Sequence, residues 1–255
     1  MIARLAVSTK GLVKTYGRRR ALDGFSLDVP EGCVMGLVGP NGAGKTTWMM
    51  AVAGLLRLDA GRIGLFGTGQ AFDAARHAGR LALLPQDSEL PLESTAGGFL
   101  YGLARLQGLS PRSAHVSVDA VLKAVNLADR AKASIRSLSH GMRKRLMAAQ
   151  CFLGDPELVL LDEPMNGLDP EEAQRMRNLI LAHAATCAVV VSSHNLGDLE
   201  RFCTHVAFVR DGRVAKTVRL ADLAAAGTTL EAEYLAADWK RADQVNESAQ
   251  MQERA

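Results

Sequence analysis

The sequence lacks any long uninterrupted apolar run. Nowhere do its 255 residues contain about 18 consecutive apolar residues, the minimum for a membrane-spanning helix. The first residues, Met1 to Leu5, also lack the apolar stretch of a signal peptide. We therefore expect the chain neither to span a membrane by itself nor to carry a secretion signal.

The sequence has few cysteines and little net charge. Its four cysteines form no Cys-x-x-Cys pair, which argues against a zinc module and predicts reduced, buried thiols in a cytoplasmic protein. A formal net charge of +3 is too small to indicate nucleic acid binding. The basic clusters at 18–20 and 143–145 are interpreted as solvated faces. The sequence shows neither a heptad run nor an internal repeat, which argues against a coiled coil and a repeat architecture.

What the sequence does contain is the composition of a globular enzyme, with 48% hydrophobic and 22% charged residues. Alternating stretches broken by glycine between Arg4 and Val38 predict antiparallel strands with tight turns. Helical spacing from about Leu92 to Ala133 predicts a helical insertion. Within it, Ser110 is a predicted cap for a helix that starts at Pro111.

Short apolar runs predict the remaining strands. Residues 61–67 and 80–85 are two of them, and a proline ends the second. The runs at 158–161 and 188–191 are typical of buried parallel strands in an α/β sheet. The polar stretch from Arg241 onward predicts a mobile tail.

A complete phosphate-binding loop follows an apolar run at 34–38 that is typical of a strand. Its glycines let successive backbone N–H groups turn toward phosphates, and the next helix, predicted over 46–56, adds its positive N-terminus. Lys45 is predicted to reach the β- and γ-phosphates, and Thr46 to offer its hydroxyl to Mg²⁺. The predicted nucleotide-binding residues of the loop are Gly39, Pro40, Asn41, Gly42, Ala43, Gly44, Lys45, Thr46 and Thr47.

Two carboxylates follow the strand predicted at 158–161. We expect Asp162 to hold Mg²⁺ through water and Glu163 to polarise the water that attacks the γ-phosphate. Paired acids at a strand end are often ordinary loop residues, but a complete phosphate loop upstream favours the catalytic interpretation. The predicted cofactors are therefore ATP and Mg²⁺.

In this order, the motifs resemble those of the ATPase subunit of ATP-binding cassette (ABC) transporters. The resemblance runs from about Leu5 to Val218. It implies that Tyr16 stacks on adenine, that Gln86 of the Q-loop senses Mg²⁺ and the attacking water, and that His194 is the switch histidine. The implied catalytic residues are Glu163, His194, Gln86 and Lys45, and the implied metal-site residues are Thr46, Gln86 and Asp162.

Two further motifs differ from the family pattern. Residues 138–142, Leu-Ser-His-Gly-Met, stand at the signature position, where Leu-Ser-Gly-Gly-Gln is common. Residues 167–169 stand at the D-loop, where Asn166 and Gly167 replace the usual Ser and Ala ahead of Leu-Asp. The resemblance implies that Ser139, Gly141 and Asp169 contact nucleotide. It places Ser139 and Gly141 on the ATP of a second chain packed head to tail. His140 is expected to be neutral for activity.

The implied fold is an α/β P-loop NTPase with a RecA-like core, an antiparallel β subdomain and a helical subdomain at about 90–150. The ABC ATPase domain would cover residues 1–220. A short C-terminal helical extension would follow at 221–240, and a mobile tail at 241–255.

The resemblance also implies partners. These are integral membrane permease subunits and a second ABC ATPase, in a homodimer or a heterodimer, at the inner face of the cell membrane and without nucleic acid. Residues 229–235 resemble an element of exporter ATPases for drugs, antibiotics and polysaccharides, and Thr228 with Glu231 fits a capping box. Leu90 to Tyr101 is the predicted permease-docking surface. The alternatives are a soluble ABC ATPase acting on nucleic acid or ribosomes, an importer ATPase, and a non-hydrolysing scaffold.

Overall fold

The computed structural model describes residues 4–68, 73 and 77–237. Its first sheet is antiparallel and three-stranded. Strands β1 (Leu5–Tyr16) and β2 (Arg19–Pro30) form a hairpin, and a later strand (Ala60–Leu65) pairs with the other edge of β1. The predicted antiparallel strands are confirmed, but each hairpin strand is one twelve-residue element with irregular register.

The second sheet has six strands, of which all but one edge strand run parallel to their neighbours. The strand of the first sheet at Ala60–Leu65 is β4. The strands of the second sheet are β3 (Val34–Val38), β5 (Leu81–Leu84), β6 (Leu158–Leu161), β7 (Ala188–Ser193), β8 (His205–Arg210) and β9 (Arg213–Arg219). Their order is β5-β6-β7-β3-β8-β9, and only the β8–β9 pair is antiparallel.

Helices cover this sheet and form a layer of their own. They are α1 (Lys45–Val52), α2 (Ala96–Leu106), α3 (Pro111–Ala124), α4 (His140–Gln150), α5 (Pro170–His183), α6 (Leu196–Glu200), α7 (Leu220–Ala226) and α8 (Leu230–Ala236). The predicted α/β class, with an antiparallel sheet and a helical layer beside the parallel sheet, is confirmed. As predicted, the Ser110 side chain caps α3, which starts at Pro111.

The continuous apolar runs of the parallel strands serve two cores, one on each face. In β6, Leu158 and Leu160 join the core that faces the antiparallel sheet, whereas Val159 and Leu161 join the core of the helical side. Side chains of a strand alternate between faces, so a strand buried on both faces needs apolar residues throughout. This double burial fixes the strand ends at which the phosphate loop and the acidic pair lie.

Helix α1 is anchored on the antiparallel sheet by Trp48. The indole is fully buried, stacks on Phe25 with ring centroids 5.9 Å apart, and donates a hydrogen bond from Nε1 to Thr9 Oγ1 at 3.2 Å. The position of α1, and therefore of the loop before it, is set by this packing.

Several expectations are wrong in detail. The cap of α8 is Thr229, whose hydroxyl accepts from Ala232 N, and not Thr228. The cluster at 143–145 is no solvated face, since Arg145 is 2% exposed. Leu100 of the predicted docking surface is completely buried and cannot contact a partner.

The tail at 241–255 lies outside the described residues.

The four thiols are buried, as predicted. Burial raises the pKa of Cys33 and Cys151 to about 12 and that of Cys187 to about 11, so these groups are protonated at neutral pH. Within the described ranges, no helix combines the length and apolar character that crossing a membrane requires.

Candidate active site

The phosphate-binding loop ends where α1 begins. Gly44 at the N-cap has a φ of 109°, and no side chain among the described residues caps this helix end. The first N–H groups of α1 are therefore available to an anion, which the helix dipole also favours.

Two loop glycines are required by close backbone approaches. A Cβ at Gly39 would lie 1.9 Å from the carbonyl oxygen of Val209, and one at Gly44 would lie 2.6 Å from that of Ala21. Both distances are below the 3.0 Å that real Cβ atoms respect. Any larger residue at either position would have to move the loop away from the strands behind it.

Lys45 lies inside the loop. Its Nζ donates hydrogen bonds to the carbonyl oxygens of Gly39 at 2.7 Å and Pro40 at 3.2 Å. Burial lowers the pKa of Lys45, and the nearby carboxylates of Glu163 and Asp162 act in the opposite direction. A phosphate group would offer this ammonium a charged acceptor in place of two neutral carbonyls.

The acidic pair meets the loop at the carboxyl end of β6. The Thr46 hydroxyl donates to Asp162 Oδ2 at 2.5 Å, and the buried Ser192 hydroxyl donates to Asp162 Oδ1. Ser192 also accepts from the backbone N–H of Glu163 at 2.8 Å. One serine of β7 thus fixes both acids relative to the loop.

Glu163 is held in an unusual conformation. Its φ is 50°, in the left-handed region that non-glycine residues adopt at a cost of about 1–3 kcal/mol. Among the described residues, its buried Oε1 atom has no hydrogen-bond partner, while Oε2 lies 3.1 Å from Nδ1 of His194. An unpaired buried carboxylate oxygen is costly unless a ligand or water satisfies it.

These groups line one cleft of about 370 Å³. Tyr16, with 51% of its surface exposed, and the exposed Gln86 both line it. The cleft therefore brings together Tyr16, the loop from Asn41 to Thr47, Gln86, Asp162 and Glu163. His194 adjoins it through Glu163.

The other predicted residues lie outside this cleft. Ser139 is exposed and caps α4, accepting from Met142 N at 3.2 Å. Asp169 caps α5, accepting from Glu172 N at 2.9 Å. Gly141, in the first turn of α4, packs against Glu172, since a Cβ there would lie 2.8 Å from Glu172 Cδ.

Two residues of the site, one that lines the cleft and one that lies behind the acidic pair, were not predicted from the sequence. Arg19 lines the cleft and donates from Nη2 to the carbonyl oxygen of Gly42 at 2.6 Å. The signal for Arg19 in the sequence is its position three residues after Tyr16 in a predicted hairpin, whereas a run of three arginines is typical of a solvated face. Ser192 is the second, and only its place just before Ser193-His194 pointed to it.

The family model for ABC transporters matches residues 22–166. The chain is 34% identical over 211 residues to "Nod factor export ATP-binding protein I" of Ralstonia nicotianae, covering 81% of this chain and 65% of that protein. It is 36% identical over 217 residues to "Daunorubicin resistance ATP-binding protein DrrA3" of Streptomyces coeruleorubidus, covering 84% and 68%. The chain thus spans about two thirds of the length of these relatives.

The fold is also similar to a solved structure described as an ATP binding subunit of an ABC transporter. The TM-score is 0.78 and the sequence identity 27%, with 90% of this chain and 98% of the other covered. Together with the family match, which spans the loop and the acidic pair, this similarity shows that the chain belongs to the ABC transporter family.

Proposed function

We propose that the protein binds and hydrolyses ATP and that it thereby energises the movement of a substrate through separate membrane permease subunits, in the direction of export. One observation carries the proposal. The phosphate loop, the Thr46–Asp162 pair and the Glu163–His194 pair converge on one cleft. In this proposal, residues 1–220 form the ATPase domain and 221–240 a short helical extension.

The donor set suits Mg²⁺. A hydroxyl and a carboxylate, from Thr46 and Asp162, lie 2.5 Å apart beside the loop, and Mg²⁺ prefers oxygen ligands together with several waters and substrate phosphates. We assign Thr46 and Asp162 to the metal site, with Gln86 at its edge. When bound, Mg²⁺ would neutralise charge on the β- and γ-phosphates.

Lys45 would transfer its hydrogen bonds from the loop carbonyls to the phosphates, and Tyr16 would stack on the adenine. Glu163 would then accept a proton from the attacking water. Its unpartnered Oε1 is the free acceptor, while Oε2 is held beside His194.

His194 has a constraint of its own. As the ionised base of the proposed reaction, the Glu163 carboxylate would only accept hydrogen bonds, so Nδ1 of His194 would be the donor in this pair. A neutral imidazole has a single N–H, so donation from Nε2 to the γ-phosphate requires either the protonated ring or release from Glu163.

The signature residues support a dimer. Ser139, Gly141 and Asp169 do not reach this chain's own cleft. We infer that two copies, or this chain and another ABC ATPase, pack head to tail so that these residues meet the partner's ATP at the N-terminus of α4.

Export is proposed because one relative bears the name of an export protein and another that of a drug-resistance protein. A permease partner follows from the same relationship and implies a peripheral location on the inner face of the cell membrane. Nucleic acid is not an expected partner, because the net charge is only +3.

Phosphate release from ATP by the purified protein, with Mg²⁺ or with a chelator, tests the enzymatic part of the proposal. We expect turnover that requires Mg²⁺ and saturates with ATP. Absence of Mg²⁺-dependent turnover, both alone and with the native membrane fraction added, would contradict it.

The transport part is tested by mass spectrometry of what co-purifies with the tagged Glu163→Gln variant from detergent-solubilised native membranes with ATP and Mg²⁺. We expect a multi-span membrane protein in near-equal amount. Recovery of ribosomes or DNA-bound proteins instead would favour a soluble ATPase acting on nucleic acid.

A further inference from the structure

We propose that Arg19 is a nucleotide-binding residue that contacts the phosphate chain from the β1–β2 hairpin. The inference rests on the proposed ATP site and adds to it a residue outside the sequence motifs. Three consecutive arginines occupy three different environments.

The β1–β2 hairpin separates these arginines. Arg18 lies in the turn and is exposed. Arg20 is paired with the carboxylate of Asp23 at 3.0 Å. Arg19 instead donates from Nη2 to the carbonyl oxygen of Gly42, in the middle of the phosphate loop, at 2.6 Å.

Arg19 is presented together with Tyr16. The two residues are the last cross-strand pair of the hairpin, and directly opposite residues project from the same face of a sheet. Both line the cleft. The hairpin therefore holds an aromatic ring and a guanidinium side by side over the loop, as a ligand with a planar base and an anionic chain requires.

The contact with the loop is close. A Cβ at Gly42 would lie only 2.3 Å from Nη2 of Arg19. Gly42 has a φ of 80°, in the left-handed region, and its carbonyl oxygen accepts the hydrogen bond from the guanidinium. The guanidinium of Arg19 thus already lies against the loop that would surround the phosphates, at the end of a flexible side chain.

Lys45 and Arg19 make the same kind of hydrogen bond to the phosphate loop. Each cation donates to main-chain carbonyls of the same loop, Lys45 to Gly39 and Pro40, and Arg19 to Gly42. A neutral carbonyl is a weaker acceptor than a phosphate oxygen, and the fork of a guanidinium suits phosphate geometry. When nucleotide enters, both cations exchange carbonyl for phosphate.

The two cations differ in burial, which sets the size of the expected effect. Lys45 is 6% exposed, whereas Arg19 is an exposed residue. Water and salt screen an exposed charge. Loss of the Arg19 side chain should therefore weaken phosphate binding by about 5- to 10-fold and should do so less at high salt.

The test compares Arg19→Ala with Arg18→Ala, which removes the same charge from the neighbouring turn position. Affinities for ADP and AMP, each with Mg²⁺, are measured by displacement of a fluorescent ATP analogue at low and high salt. We expect Arg19→Ala to weaken ADP binding about 5- to 10-fold and AMP binding much less, because AMP lacks the β-phosphate that the loop surrounds. Arg18→Ala should resemble the wild type.

Arg19→Lys separates phosphate contact from loop support. A lysine keeps the charge and loses the fork, so it should restore part of the ADP affinity. Melting of the nucleotide-free protein should be the same for all three variants. Equal losses for ADP and AMP, equal losses for Arg18→Ala and Arg19→Ala, or a lowered melting temperature in Arg19→Ala would overturn the proposal. If the wild type bound neither ADP nor the ATP analogue, the proposed function itself would fail.

Discussion

The phosphate cleft and the signature end differ in how their polar groups are satisfied. The signature end comprises residues 138–142 and 166–169. In the cleft, α1 has no side-chain cap and Glu163 Oε1 has no partner among the described residues. At the signature end, Ser139 and Asp169 cap helices of their own chain.

The signature end is also tied firmly to the core. Arg145 of α4, 2% exposed, forms an ion pair with Glu172 of α5 at 2.6 Å and donates to the carbonyl oxygen of Val125 after α3. Lys144 donates to the carbonyl oxygen of Asn166 at 2.6 Å. These contacts join the helical layer to the helix that follows the D-loop.

This difference indicates which of the two regions can bind a ligand within a single chain. Open polar groups at the cleft are suited to a ligand that one molecule binds alone. At the signature end, the capping side chains are already engaged within the chain, and in the proposed head-to-tail dimer its ligand is the ATP of the partner chain. Substitutions in the two regions should accordingly affect different measurements.

The largest expected effect concerns the cleft. Glu163→Gln removes the proton acceptor and keeps the size of the side chain, so turnover should fall by about 100- to 10,000-fold while ATP affinity stays near that of the wild type. Phosphate release and nucleotide titration check this. Glu171→Gln, at an exposed carboxylate of α5, is the control. Undiminished turnover in Glu163→Gln would show that the base is misassigned.

The second effect concerns the buried ion pair between Arg145 and Glu172, which connects α4 to α5 next to the signature end. Glu172→Gln leaves Arg145 buried without its carboxylate, and breaking a buried pair costs about 3–5 kcal/mol of unfolding free energy. We expect a loss near the lower bound, because the Glu172 side chain is 17% exposed.

Urea denaturation checks this second prediction. The same substitution at Glu171, whose partner Arg175 lies on the exposed face of α5, should leave the transition midpoint unchanged. Equal destabilisation by the two substitutions would show that the buried Arg145–Glu172 ion pair adds no stability.

The sequence predicts the cleft better than it predicts the Arg145–Glu172 ion pair, for a physical reason. The phosphate loop and the acidic pair each occupy a few consecutive residues, and both adjoin buried strands whose apolar runs are plain. The Arg145–Glu172 contact joins residues 27 positions apart, and nothing in a cluster of Arg and Lys separates a buried arginine from a solvated one.

The same reasoning explains smaller errors. Spacing predicts α2 and α3, but amphipathic spacing does not tell which apolar side faces the core. The prediction that Leu100 belongs to a docking surface is therefore wrong, because Leu100 is buried. Thr228 and Thr229 are adjacent candidates for the cap of α8, and the choice depends on backbone geometry.

A smaller effect contrasts the two regions directly. Thr46→Ala should weaken binding of Mg²⁺ and ATP to the isolated chain. Ser139→Ala should leave that binding unchanged and lower turnover at concentrations that favour dimers. Loss of the Ser139 cap should also cost about 1 kcal/mol of stability.

Thr229→Ala supplies the control for the lost cap, because Thr229 caps α8 in the same manner. It should reproduce the stability loss without the loss of turnover. If dilute Ser139→Ala bound ATP as weakly as Thr46→Ala, the signature end would belong to this chain's own site.

The junction between the two sheets predicts a pH dependence. Burial would raise the pKa of Asp23, but hydrogen bonds from Arg213 of β9 and from Arg20 outweigh it and hold the pKa below its usual value. The ionised form therefore stabilises the fold above the unfolded pKa of about 4, and this stabilisation is lost as pH falls through the lower folded value. Asp23→Asn should lower the melting temperature by about 2–4 °C at neutral pH, and the difference should shrink below pH 4. A difference that stays constant with pH would contradict the assignment.

The smallest expected effect lies within the signature itself. His140 is exposed at the first position of α4, and the two residues expected to meet the partner's phosphate, Ser139 and Gly141, are on either side of it. Neither the cap of α4 nor the packing of Gly141 on Glu172 involves the imidazole. His140→Gly should therefore keep turnover within about 2-fold of the wild type, since a surface substitution away from such contacts typically changes free energies by about 0.5 kcal/mol or less. A many-fold change in phosphate release would instead mean that the imidazole contacts the nucleotide or the partner chain, and the signature end would then act by more than its helix terminus.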